Sequence, residues 1–112
     1  MLLSHSVGDY TYHAELSTKA EASASCKARG RTLATPRSQA EIDVIKGKFS
    51  TQIGRKQVYT GLTKADVPTS LWYPREPSGD GSCIGLNLRG SWQFNDLPCG
   101  VKLGFVCQSS GN

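Results

Sequence analysis

Apolar positions recur along this chain with two periods, and they divide it into helices and strands. Tyr10-Thr11-Tyr12-His13-Ala14 alternates and is rich in aromatics, which predicts a strand over 10–14. Thr18-x-x-Glu21 is a capping box that opens a helix. Ala20, Ala22, Ala24, Cys26 and Ala28 carry that helix and Gly30 ends it. So many alanines let it lie close to a sheet, with Cys26 in the last turn facing inward if bridged. Thr32-Leu33-Ala34 reads as a short extended piece, and Pro36 bends the chain. Ser38-x-x-Glu41 is a second capping box, followed by Ile42, Ile45 and Phe49 on one helical face. Gly47 and Ser50-Thr51 weaken the end of that helix, so 52–56 reads as a polar loop. Val58-Tyr59-Thr60-Gly61-Leu62 is the next strand.

From Thr63 to Gly81 the pattern dissolves. Pro68, Pro74, Pro77, Gly79 and Gly81 punctuate the stretch, and Trp72-Tyr73 anchors its middle. An irregular segment this long in a small domain is usually functional. Regular structure resumes at Ser82. Ile84, Leu86 and Leu88 alternate with Gly85 and Asn87, the pattern of a half-buried strand. Arg89-Gly90 marks a turn, Trp92 and Phe94 alternate on the return, and Asn95-Asp96 interrupts the apolar pattern at the strand end. Pro98 and Gly100 keep the next stretch irregular, and Phe105-Val106 gives a last short strand.

Composition narrows the class. The chain has 112 residues, 38% of them apolar and 20% charged, which predicts one folded domain over 1–112 with its core between about 10 and 108. A chain this size builds a modest core, so cross-links matter. It has four cysteines, none in a C-x-x-C pair, and both histidines stand far from every cysteine. Two disulfides are therefore a better reading than a thiolate zinc site, and they imply an extracellular, secreted protein. Of three possible pairings, the Arg89-Gly90 turn favours Cys83 with Cys99, which leaves Cys26 with Cys107.

The formal charge is +4, with Lys46, Lys48, Arg55 and Lys56 the densest run. That run reads first as a solvated face and second as a surface for anionic partners. No nucleic-acid recognition motif is present, and no apolar stretch is long enough to insert in a membrane. Met1-Leu2-Leu3 is too short for a signal peptide, so either a leader has been removed or secretion takes an unconventional route.

The order strand, helix, helix, strand, long loop, paired strands, with Cys26, Cys83, Cys99 and Cys107 in place, resembles a C-type lectin-like domain from Tyr10 to Gln108. Leu33-Ala34-Thr35-Pro36-Arg37 is similar to the segment joining the family's two helices, most of all in collectin-type domains. Val58 to Leu62 resembles the W-I-G-L strand, and Trp72-x-x-x-Glu76-Pro77-Ser78 resembles W-x-x-G-E-P-N. Asn95-Asp96-x-x-Cys99 resembles W-N-D-x-x-C, with Phe94 in the Trp position and Trp92 the candidate for its role. Gly104-Phe105-Val106-Cys107 resembles the closing strand. The resemblance implies an α+β double-loop fold, two helices packed on small antiparallel sheets, with bridges Cys26–Cys107 and Cys83–Cys99.

It also implies a site. In sugar-binding members one Ca2+ is held by the Glu and Asn of E-P-N, a later acidic residue and the N-D pair, and the same side chains bind sugar hydroxyls. Carried over by position, the metal candidates are Glu76, Ser78, Asp80, Asn95 and Asp96, and the carbohydrate candidates are Glu76, Ser78, Asn95, Asp96 and Trp92. Ca2+ takes six to eight hard oxygens, which three carboxylates and an amide begin to supply. A proline bond of the cis kind after Glu76 would turn Glu76 and Ser78 to the same side. Ser78 stands in place of the Asn, however, and the loop from Thr63 to Arg75 is short, which removes the family's auxiliary metal position.

Plain readings stand beside these: Asn95-Asp96 as an Asx turn, Glu76-Pro77 and Asp80-Gly81 as solvated turns, Trp72 and Trp92 as core anchors. His5 and His13 read as surface or strand histidines, and a Zn2+ site using one of them with a carboxylate is the other metal considered. No Ser/His/Asp or Cys/His arrangement suggests an enzyme. The expected function is a secreted, Ca2+-dependent carbohydrate-binding lectin domain recognising microbial or cell-surface sugars in innate immunity. The alternative is a metal-independent domain binding a protein partner or an anionic surface.

Overall fold

The computed structural model describes residues 9–110; Met1-Leu2-Leu3 and His5 lie outside them. Strand β1 (Tyr10–Ser17) leads into helix α1 (Lys19–Ala28), whose start is fixed by the expected reciprocal box. The Glu21 amide donates to Thr18 Oγ1 at 3.2 Å and the Thr18 amide to Glu21 Oε1 at 2.9 Å. These satisfy two of the amides that a helix start leaves without partners. Strand β2 (Arg31–Leu33) follows, then helix α2 (Gln39–Ile53). Ser38 Oγ accepts from the Glu41 amide, as expected, but Glu41 Oε1 takes the Arg37 amide and the Ser38 hydroxyl instead of closing the box. Gly47 does not end α2. Its last turn carries Ile53, which is fully buried, so residues 52 and 53 belong to the helix and not to a polar loop. Burying that side chain outweighs the roughly 1 kcal/mol that one helical glycine costs.

The remaining strands are β3 (Val58–Tyr59), β4 (Cys83–Leu86), β5 (Phe94–Leu97) and β6 (Leu103–Ser109). They form one six-stranded sheet in the order β1-β6-β3-β4-β5, with β2 also paired to β6. All pairings are antiparallel except β3 with β6, so the sheet is mixed. The last strand, expected to be short, has seven residues and is the hub, touching β1, β2 and β3.

Two apolar clusters cover the sheet's faces. On one, Ile42, Ile45 and Ile53 of α2 pack with Leu62, Ile84, Leu86, Phe94 and Val106. On the other, Ala22 and Cys26 of α1 pack with Leu33, Tyr59, Leu97, Phe105 and Cys107. Bridges join Cys26 to Cys107 and Cys83 to Cys99, as expected.

The β4–β5 connection departs from the simple hairpin read from Arg89-Gly90. Strand β4 stops at Leu86, and its four residues are buried on both faces rather than alternating. Asn87, fully buried with φ 82°, then organises the turn. Its Nδ2 donates to the Gly54 and Lys56 carbonyls at 3.0 and 2.8 Å, and its Oδ1 accepts from the Trp92 amide at 2.8 Å. Leu88 to Gly90 form a single 3-10 turn, so Leu88 and Trp92 lie outside the strands.

Candidate functional site

Asn95 and Asp96 do not end a strand. They sit inside β5, paired with Gly85 and Ile84, and both are buried. Successive strand residues point to opposite faces, and that separates the pair. Asn95 shares the face of Leu97, where its Nδ2 donates to Gln57 Oε1 at 3.0 Å. Gln57 reaches there across Gly85, where an added Cβ would stand 2.8 Å from that same oxygen. Asp96 shares the face of Phe94 and meets the long loop.

That loop is drawn against β5 by its own backbone. Trp72 bridges Phe94, and the Tyr73 amide donates to the Phe94 carbonyl at 2.9 Å. The chain turns at Tyr73–Glu76, passes a cis Glu76–Pro77 bond, and delivers two amides to Asp96. The Ser78 amide donates to Asp96 Oδ1 at 3.0 Å and to Glu76 Oε1 at 3.0 Å. The Gly79 amide donates to Asp96 Oδ2 at 2.9 Å, and the Ser78 hydroxyl to Oδ1 at 3.3 Å. Gly81 completes the approach: a Cβ there would lie 2.2 Å from the Leu97 carbonyl carbon and oxygen, so only glycine fits.

A further group faces Asp96. Lys64 Nζ lies 3.1 Å from Asp96 Oδ2, with the lysine side chain 42% exposed and the carboxylate 0%. Lys64 begins a 3-10 turn, Lys64–Asp66, in which the Thr63 amide and hydroxyl both donate to Asp66 Oδ2 at 2.9 Å. Arg37 pairs with the same Asp66 at 3.7 Å.

The electrostatics follow from these contacts. Burial opposes charge on Asp96, but the Lys64 ammonium, the Ser78 and Gly79 amides and the Glu76 contact hold its carboxyl well below the usual range. Burial, and then the neighbouring Asp96, push Glu76 upward. The two carboxyls therefore differ: Asp96 holds its charge more strongly than Glu76.

Of the expected set, the fold brings Glu76, Ser78 and Asp96 together. It does not bring in Asn95, whose amide lies across the sheet, or Asp80, which is exposed and makes none of these bonds. Trp92 is buried in the α2-side core at 8% exposure with φ 58°, so it presents no face to a sugar. His13 accompanies Thr11 at 2.9 Å and stacks on Phe105 at 5.1 Å, within the sheet and away from this corner. Among the described residues no group of three or more His, Cys, Asp or Glu is placed to hold a metal. As arranged, the corner does not fit Ca2+. Two carboxylates and a hydroxyl fall short of six oxygens, and the open side of Asp96 carries an ammonium. Lys64, Gln57 and Gly81 escaped the sequence reading, although Thr63-x-x-Asp66 has the form of a local cap that would have flagged the turn holding Lys64.

The sequence pattern of the Lectin C-type domain matches residues 15–109, so the chain belongs to the C-type lectin domain family. It is 30% identical over 113 residues to C-type lectin domain family 4 member A of Rattus norvegicus, covering 88% of this chain and 47% of the rat protein. The chain thus spans about half the length of that relative. The carbohydrate-recognition domain of cow CD23, solved in the presence of a GlcNAc2Man3 oligosaccharide, matches with TM-score 0.69 and 25% identity over 88% of this chain and 84% of that one. A calcium-independent type II antifreeze protein matches with TM-score 0.72 and 21% identity over 92% and 86%. The same fold thus occurs in a calcium-independent protein, while domains of this family often bind Ca2+, are generally binding modules rather than enzymes, and are commonly extracellular. No helix among the described residues is long and apolar enough to cross a membrane.

Proposed function

We propose that this domain is a secreted, non-catalytic carbohydrate-recognition module for microbial or cell-surface sugars in innate recognition, folded as a single unit with its core between about residues 10 and 108. The observation that carries the reading is the Glu76-Pro77-Ser78 corner laid on Asp96, in a chain of the C-type lectin domain family. Glu76 is half-buried and Ser78 is exposed, so the corner offers a carboxyl and a hydroxyl to the hydroxyls of a sugar. Binding to an immobilised glycan array tests this, with Glu76→Gln and Ser78→Ala as variants. Saturable binding to a defined sugar class, weakened in both variants, is expected. Absence of binding to every glycan, with and without Ca2+, overturns it.

The Lys64–Asp96 pair favours a second reading, in which the domain binds a protein partner or an anionic surface without metal. Lys46, Lys48, Arg55 and Lys56 are all exposed and would supply the charge. That attachment would weaken steeply with salt, since exposed charges are screened within about 8 Å at physiological ionic strength. Attachment indifferent to salt excludes it.

A further inference from the structure

We propose that the Lys64 ammonium is the built-in counter-ion of the Asp96 corner, so that the long loop is folded and its ligand surface formed without metal. The inference rests on matching Glu76, Ser78 and Asp96 to the family's calcium corner, and it holds whichever ligand the domain takes.

Four observations on different elements converge. Asp96 is completely buried, and a carboxylate there requires either a cation or full hydrogen bonding. It has both: three donors from Ser78 and Gly79, and Lys64 Nζ at 3.1 Å. The lysine's approach is set by its place at the start of the Lys64–Asp66 turn, which Thr63 and Asp66 close and Arg37 braces from the start of α2. The amide that would help complete a metal shell, Asn95, is committed to Gln57 on the opposite face. Ammonium and Ca2+ cannot both occupy the open side of Asp96 Oδ2, because a lysine offers donors only and repels a second cation.

The physical difference is one of linkage. A calcium corner gains stability in proportion to the logarithm of free Ca2+. A cation carried on the same chain is always present, so its contribution is independent of free Ca2+. The corner would then persist where calcium is scarce.

The test is thermal unfolding of wild type, Lys64→Met, Lys64→Arg and Asp96→Asn, each in millimolar Ca2+ and in a chelator. Wild type is expected to melt at the same temperature in both. Lys64→Met should melt several degrees lower in the chelator, on the scale of about 4–8 °C per kcal/mol for a domain near this size. Lys64→Arg should recover most of the loss. Adding Lys64→Met to Asp96→Asn should cost less than it does alone, because the two groups act as a pair. A wild-type melt that climbs in Ca2+, or a Lys64→Met protein as stable as wild type, overturns the proposal. Should Lys64→Met fail to fold, the wild-type comparison and Lys64→Arg still decide. Glycan binding in the same two buffers separates this inference from the sugar reading. Sugar bound in both supports each; sugar lost in the chelator overturns the counter-ion and keeps the lectin. No sugar with a calcium-blind melt does the reverse.

Discussion

The β1–β6 end of the sheet and the long-loop end are held by different forces. At the first, β1 and β2 both pair with β6, α1 lies on them through Ala22 and Cys26, and a disulfide joins residues 81 apart in sequence. Apolar burial and a covalent cross-link act over many residues there, and no single polar contact decides the outcome. At the second, residues 63–82 contribute one buried apolar side chain, Val67, with Leu71 and Trp72 half-buried beside it. That loop hangs instead on the backbone pairing of Trp72 and Tyr73 with Phe94, on the hydrogen bonds of Asp96 and on Lys64. A sheet edge can therefore carry a variable loop at little cost to the core, provided one buried carboxylate is fully satisfied.

Breaking the first end should have the largest effect. Replacing Cys26 and Cys107 by serine is expected to cost about 4–5 kcal/mol in the chain-entropy account of a loop that long. Against a total stability of about 5–15 kcal/mol, that leaves a marginal fold. Urea unfolding of the double variant beside wild type measures it, and a cost well under the corresponding cost for Cys83–Cys99, which closes only 16 residues, would reverse the ranking of the two ends.

Next is Asp96→Asn. It keeps one acceptor oxygen but strips charge from the contacts of Ser78, Gly79 and Lys64. A loss of about 1.5–3 kcal/mol is expected, with hydrogen exchange at the Ser78 and Gly79 amides accelerating while β6 amides stay protected. Uniform loss of protection would mean that the corner and the sheet unfold together.

Gly81→Ala sharpens the same point through sterics. The new Cβ meets the Leu97 backbone, which cannot rotate away, so the loop must lift from β5. Roughly 1–3 kcal/mol is expected from such overpacking. Weakened ligand binding with an intact Cys26–Cys107 bridge is the accompanying signature.

The smallest effect is one of pH and lies at the first end. Burial, aided by Arg29 and Arg31 and opposed by Glu15, holds His13 below its ordinary value near 6.5. The unfolded chain thus binds that proton more readily than the folded one. Stability from the neutral ring is present above about 6.5 and is lost as pH falls through the folded value. Urea midpoints should drift down between neutrality and about pH 5, and His13→Gln should flatten the drift.

The two ends also differed in how far they could be read from sequence. The helix starts at Thr18 and Ser38, the disulfides and the order of elements were legible, because capping boxes and cysteines act through local or covalent rules. Asn95 and Asp96 were legible as an important pair but not as a divided one. Their polarity suggested a strand end, whereas Gln57 and the loop amides satisfy them inside β5. Asn87 was read as the polar member of an alternating strand and is fully buried, since Gly54, Lys56 and Trp92 supply its partners from distant positions. Lys64 gave no signal of its own among thirteen cations, because only the fold shows which of them meets a buried carboxylate.

The most direct measurement is a crystal structure grown in millimolar Ca2+, with anomalous scattering used to locate the metal. Lys64 Nζ should remain within hydrogen-bond distance of Asp96 Oδ2, with the Ser78 and Gly79 amides still on the carboxylate and no metal peak beside it. A Ca2+ peak bound by Asp96 and Glu76, with Lys64 swung into solvent, would contradict the account.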